Sequence, residues 1–168
     1  SMPHPAPSLA AKAIIEFIGT FFLVGVAGLV IGQVTPGGGE LDAFAIAAAL
    51  AALIYMGGPI SGGHYNPAVT LAFLVSKRMP RSDAGVYILA QVIGAFAAAG
   101  LVSFTLPEDV FVAVSEIPPL DQNIKLAVLE FFFTFFLIFT IMNVAARKST
   151  AGNSYYGLAI GLVVLCGA

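Results

Sequence analysis

The chain has 168 residues, 59% hydrophobic and 10% charged, with a net charge of −2 and a mean hydropathy of +0.97. Soluble domains run at about 45–50% apolar and about 25% charged, and a chain this short leaves much of its surface exposed, so lipid is the fitting solvent. No basic footprint invites nucleic acid, and a single cysteine, Cys166, excludes an internal disulfide framework and a thiolate metal cluster.

In chain order, Ser1–Ser8 is rich in Pro and small residues and reads as a disordered tail. A bilayer core about 30 Å thick needs roughly 20 apolar residues per helix. Leu9–Gly32, Leu41–Gly57, Ala84–Leu106 and Ile124–Ala146 meet that need, and a fifth apolar segment begins near Tyr155. Between the second and third spans, Ser61–Ser76 is shorter and fits a re-entrant half-helix. Gln33–Glu40 and Pro107–Asp121 are turn-rich connections, with Pro36-Gly37-Gly38-Gly39 and Pro118-Pro119 as their punctuation. Lys12, Lys77, Arg78, Arg81, Arg147 and Lys148 would share one side under this layout, leaving Lys125 on the other. The Lys/Arg bias sets orientation, so the N-terminus is expected in the cytoplasm and the two turn-rich loops outside.

The chain also repeats itself. Ala13-Ile14-Ile15-Glu16-Phe17-Ile18-Gly19-Thr20-Phe21-Phe22-Leu23 is similar to Ala127-Val128-Leu129-Glu130-Phe131-Phe132-Phe133-Thr134-Phe135-Phe136-Leu137, an offset of 114 residues from 13 to 127. The same offset pairs Ala45-Ile46 with Ala159-Ile160. Agreement of Glu and Thr in place, kept into the next helix, separates this match from the likeness of any two apolar helices. A first unit of three spans leaves the second inverted, the architecture that puts a conducting or binding site at the midplane. The expected organisation is a tail at 1–8, a first repeat at 9–106, an external connection at 107–121 and an incomplete second repeat at 122–168. The register puts the counterpart of Asn66 at position 180, beyond Ala168.

The segment Ser61-Gly62-Gly63-His64-Tyr65-Asn66-Pro67-Ala68-Val69-Thr70 carries the site chemistry. Pro67 suits the first helical position, where a missing N–H costs nothing. Asn66 suits the cap before it. The half-helix then turns a partly positive end toward the midplane. Asn66 amide hydrogens can donate to a passing oxygen, the positive end repels cations, and the carbonyls of Gly62, Gly63, His64 and Tyr65 can line the path as acceptors. The His64 side chain has two open readings, holding the loop or facing the path. Nothing points to an enzyme: there is no nucleophile paired with a base, no metal-ligand cluster and no nucleotide loop.

This ten-residue string, following the second span of an inverted repeat with Glu16 and Glu130 in spans one and four, resembles the first signature loop of the major intrinsic protein family, the aquaporins and glycerol facilitators. The resemblance runs from Leu9 to the end of the sequence. It implies an all-α integral membrane protein with an aquaporin-like inverted repeat, a passive channel for water and possible small neutral solutes, no cofactor, and a homotetramer in a plasma or bacterial inner membrane. It implies that Asn66, Pro67 and Ala68 form the pore motif. Glu16 and Glu130 would buttress the re-entrant loops through backbone amides. A selectivity constriction would take Ile46 from span two and Ala168 from span five, where strict water channels carry Phe and His; these smaller or more apolar residues imply a wider opening. The alternative is a truncated, non-conducting subunit that inserts and associates without a complete pore.

Overall fold

The computed structural model describes residues 6–33, 41–115 and 119–167. The expected tail up to residue 5, most of the loop at 33–40, and Ala168 lie outside the described residues. Among those described, every regular element is helical: α1 (Leu9–Gln33), α2 (Asp42–Ser61), α3 (Pro67–Val75), α4 (Arg81–Thr105), α5 (Glu108–Ser115), α6 (Leu120–Val144) and α7 (Tyr156–Gly167), with a 3₁₀ turn at Lys148–Thr150. α1, α2, α4 and α6 are long and apolar enough to cross a bilayer.

Local chemistry sets the ends. Ser8 Oγ accepts from the Ala11 amide at 3.1 Å and starts α1. α2 runs past the expected end at Gly57, carries Pro59 in its last turn, and stops at Gly62 in the left-handed region (φ 93°), whose N–H closes back on Gly58 O. The re-entrant segment is helical only over the nine residues of α3, about 14 Å at 1.5 Å per residue, roughly half the hydrocarbon core. Gly62–Asn66 is instead the non-helical descent into it. One expectation needs correcting: within Pro107–Asp121 a helix forms, α5, with Glu108 and Asp109 in its first turn, where carboxylates favour the helix dipole. Pro107 and the Pro119 cap of α6 flank that region and suggested turns throughout.

α1 packs against α2 and α4, α7 against α2 and α6, and α3 is held between α4 and α6. The tightest crossings use glycine. A Cβ on Gly94 of α4 would lie 2.6 Å from Phe17 O of α1, and one on Gly161 of α7 would lie 2.7 Å from Ala47 O of α2. Small residues let membrane helices meet backbone to backbone, since lipid supplies no hydrophobic drive between them. Leu50, Ile54, Tyr65, Val69, Ile141 and Ile160 form the buried apolar cluster around the re-entrant loop. α6 is the least enclosed span, with 6% of its apolar window buried against 22–28% for the other three. Phe131, Phe132, Phe135 and Phe139 project from it, exposed.

Arg78, after α3, donates to the Ala146 carbonyl. That contact brings the basic residues around Lys77–Arg81 and those at Arg147–Lys148 to one end of the bundle.

Candidate functional site

The site is built on Glu16, whose side chain is wholly buried in the first half of α1. Its Oε1 accepts from Ser61 Oγ at 2.7 Å and the His64 amide at 3.0 Å. Its Oε2 accepts from the Tyr65 amide at 2.7 Å and Gln91 Nε2 at 2.8 Å. As an acceptor-only carboxylate the group matches its four donors. Two of those donors are backbone N–H groups of a non-helical segment, and a buried segment of that kind must find partners inside the protein.

Around this anchor the loop takes three left-handed residues, Gly62, Gly63 and Tyr65 (φ 51°). For Tyr65 that conformation costs of order 1–3 kcal/mol. Its contacts offset the cost: besides the Glu16 bond, its hydroxyl donates to Leu53 O at 2.8 Å and its carbonyl accepts from Thr20 Oγ1 at 3.2 Å. The ring lies 2.0 Å from where a Gly19 Cβ would be, and the hydroxyl oxygen 1.8 Å from where a Gly57 Cβ would be. The end of α2 is held as well, by Tyr87 Oη donating to Ser61 O at 2.7 Å.

Asn66 then caps α3. Its backbone is extended (φ −147°, ψ 127°), and Oδ1 accepts from the Ala68 amide at 2.8 Å, with Pro67 at the first helical position. Because Oδ1 is occupied by the cap, the side chain faces its surroundings with its amide hydrogens. A second chain of bonds ties the cap to the anchor. Gln91 Nε2 also donates to Thr70 Oγ1 at 3.0 Å, and Thr70 Oγ1 lies 3.0 Å from His64 Nδ1.

Two cavities meet at this loop. One, of about 300 Å³, reaches Phe73, Tyr156 and the turn Thr150–Asn153. The other, of about 220 Å³, reaches Ile46, Leu23, Phe133 and Glu130, and Asn66 lines it. Ile54, Gly63, His64, Val69, Ile141 and Ile160 border both. The junction therefore lies at Gly63 and His64, beside the Asn66 cap.

Of the residues singled out by sequence, Gly62, Gly63, His64, Asn66 and Ile46 face these cavities. Pro67 and Ala68 line neither; they set the helix start. Tyr65 departs from the expected role, because its carbonyl is turned to Thr20 and its ring is wedged between α1 and α2. Glu130 is exposed and accepts from Thr134 Oγ1 at 3.3 Å, its one hydrogen-bond partner among the described residues. Ala168 lies outside them. Sequence reasoning missed Gln91, Thr20 and Tyr87. Gln91 had a signal: from Ile88 to Val102 it is the only side chain with hydrogen-bonding atoms, and such a residue in a span bonds across helices.

Four apolar spans around a buried, glutamate-anchored half-helix define an aquaporin-like all-α membrane fold, multi-pass by construction. The family model described as "Major intrinsic protein" matches residues 4–168. This chain belongs to the major intrinsic protein family. It is 37% identical over 160 residues to nodulin-26 of Glycine max, covering 92% of this chain and 58% of that protein. It is 36% identical over 162 residues to glycerol uptake facilitator protein-like 6 of Lactiplantibacillus plantarum, covering 91% and 71% of the two chains. The aquaglyceroporin of Plasmodium falciparum superposes with a TM-score of 0.73 at 24% identity, over 95% of this chain and 71% of that one, a likeness of fold. The chain spans a little over half the length of nodulin-26.

Proposed function

We propose that the chain forms the path of a passive channel for water and small neutral solutes, with no catalytic step. The observation that carries this reading is the placement of the Asn66 cap where the two cavities meet. There the positive end of α3 and the Asn66 amide hydrogens face a space with carbonyls of Gly62 and Gly63 nearby. Such a site offers hydrogen bonds to an oxygen while its electrostatics oppose cations. Glu16 holds the loop in this geometry, and Glu130 serves the equivalent purpose for the second half of the repeat. Ile46 sets part of the constriction, together with Ala168. Its side chain, apolar and smaller than Phe, leaves a wider opening that favours solutes larger than water, in keeping with a relative named for glycerol uptake. The basic residues gathered near Arg78 and Arg147 support a cytoplasmic N-terminus, and a homotetramer in a plasma or bacterial inner membrane is the assembly we assign.

A second reading has its own observation. Among the described residues Glu130 has one donor where Glu16 has four, and a further cavity borders Glu130, Phe133 and Gly167. On that reading the chain inserts and associates without conducting.

Stopped-flow light scattering on proteoliposomes separates the two. Osmotic shrinkage well above empty vesicles, with low activation energy and glycerol entry, is the expected result. Shrinkage equal to empty vesicles, with insertion verified by flotation, favours the non-conducting subunit.

A further inference from the structure

Gln91 lies one helix away from the path, yet its bonds reach the ring at the junction. Its amide orientation is decided by Glu16: a carboxylate only accepts, so the atom 2.8 Å from Oε2 is the nitrogen. The second hydrogen on that nitrogen goes to Thr70 Oγ1 at 3.0 Å. The Thr70 hydroxyl, thus engaged as an acceptor, still has one proton to give. Two acceptors are in range, His64 Nδ1 at 3.0 Å and Asn66 O at 3.3 Å. Asn66 O already receives the Thr70 amide at 3.1 Å, whereas no other partner among the described residues reaches His64 Nδ1. The hydroxyl proton therefore belongs on the line to Nδ1. A neutral imidazole that accepts at Nδ1 carries its own proton on Nε2.

We infer that Gln91 is a positioning residue which, through Thr70, fixes His64 as the Nε2–H tautomer, so that the junction offers a passing solute a second donor beside the Asn66 amide. His64 borders both cavities, and Nδ1 is consumed inside the protein, so Nε2 is the ring's free polar atom. Two donors next to the Gly62 and Gly63 carbonyls suit a solute that presents an acceptor oxygen, such as water, an alcohol or an amide carbonyl. With the other tautomer, Nε2 would be a bare acceptor, and the junction would suit a donor instead. Gln91 touches no solute; it acts by directing one proton. This inference rests on the proposed passage past Asn66.

The test reads the tautomer directly and needs no flux. The sequence has two histidines, His4 and His64, so His4→Gln leaves His64 as the only ring. The full chain, with ring-¹⁵N histidine, is reconstituted in lipid bilayers at about pH 8, above the usual histidine range, and measured by solid-state NMR. The expected spectrum has Nε2 protonated over Nδ1 by about tenfold, near the upper ratio one ordinary hydrogen bond sustains. Thr70→Ser keeps that ratio, and Thr70→Val and Gln91→Met bring it to within about twofold of unity. An Nδ1-protonated ring in the unmodified site overturns the inference outright. So does a ratio unchanged by both Thr70→Val and Gln91→Met, since Gln91 would then direct nothing. If one of those two fails to insert, the other reads the same proton. A liposome sample that shows the expected tautomer but no osmotic flux would defeat the channel reading and leave this assignment standing; a conducting sample with the opposite tautomer would do the reverse.

Discussion

Replacing Glu16 with Gln tests the anchor with almost no change of shape. The carboxylate takes two donors on each oxygen, so an amide nitrogen placed at either one faces two hydrogens. Part of the conflict can relax. Ser61 can turn its proton to Gly57 O, 3.4 Å away, and Gln91 can rotate its otherwise unpartnered Oε1 into an accepting position. The backbone cannot relax in the same way, so either the His64 or the Tyr65 N–H is left without an acceptor. A buried donor in that state costs about 1–3 kcal/mol. The remaining bonds lose their charge assistance, about 1 kcal/mol each. Relief of the buried carboxylate's desolvation offsets part of this, giving a net loss on the order of 2–4 kcal/mol. Against a total stability of about 5–15 kcal/mol that is a large share. For a chain of this size it corresponds to a melting temperature lower by roughly 4–16 °C. The assay is thermal unfolding of the detergent-solubilised protein, with the monodisperse yield measured alongside. The ratio of glycerol to water permeability in the surviving fraction should stay as it was. A normal yield and melting point combined with a changed solute ratio would refute the reasoning, because Glu16 would then act on the solute rather than on the loop.

Gly94→Ala puts a methyl 2.6 Å from Phe17 O, backbone against backbone, and should destabilise by about 1–3 kcal/mol; Gly85→Ala on the same helix meets nothing within 4 Å and should be neutral or stabilising by up to about 1 kcal/mol. Equal unfolding midpoints for the two variants would contradict the close α1–α4 crossing. Asn66→Asp sets a negative charge at the half-helix N-terminus facing the cavity and should admit cations or abolish permeation; patch or dye-flux recordings that find unchanged water flow and no cation leak would remove Asn66 from the path. Ile46→Phe narrows the cavity it lines, so glycerol entry should fall by more than about tenfold while water flow falls less. A parallel loss of both, or of neither, would place the constriction elsewhere.

Sequence alone determined the solvent and the layout. The length and apolarity of four segments, read against the thickness of a bilayer, located α1, α2, α4 and α6 to within a few residues, because a span must satisfy its own backbone and so announces itself locally. The Asn66-Pro67 cap was legible for the same reason: its chemistry is complete within three residues. Glu16 stood out as an ionisable group in an apolar run, expected to hold loop amides, whereas the Ser61 and Gln91 side chains that also bond it did not stand out. Which donors surround it depended on where α2 and α4 come to lie, and that is fixed by glycine-mediated crossings such as Gly94 on Phe17, with no periodic trace in the sequence. The tertiary structure alone turned the Tyr65 carbonyl toward Thr20, placed its ring between Gly19 and Gly57, and brought Gln91 to both Glu16 and Thr70 across separations of 75 and 21 residues. Contacts of that range are decided by packing between helices, where the direction of one side chain depends on the distance of a neighbouring backbone rather than on its own neighbours in the chain.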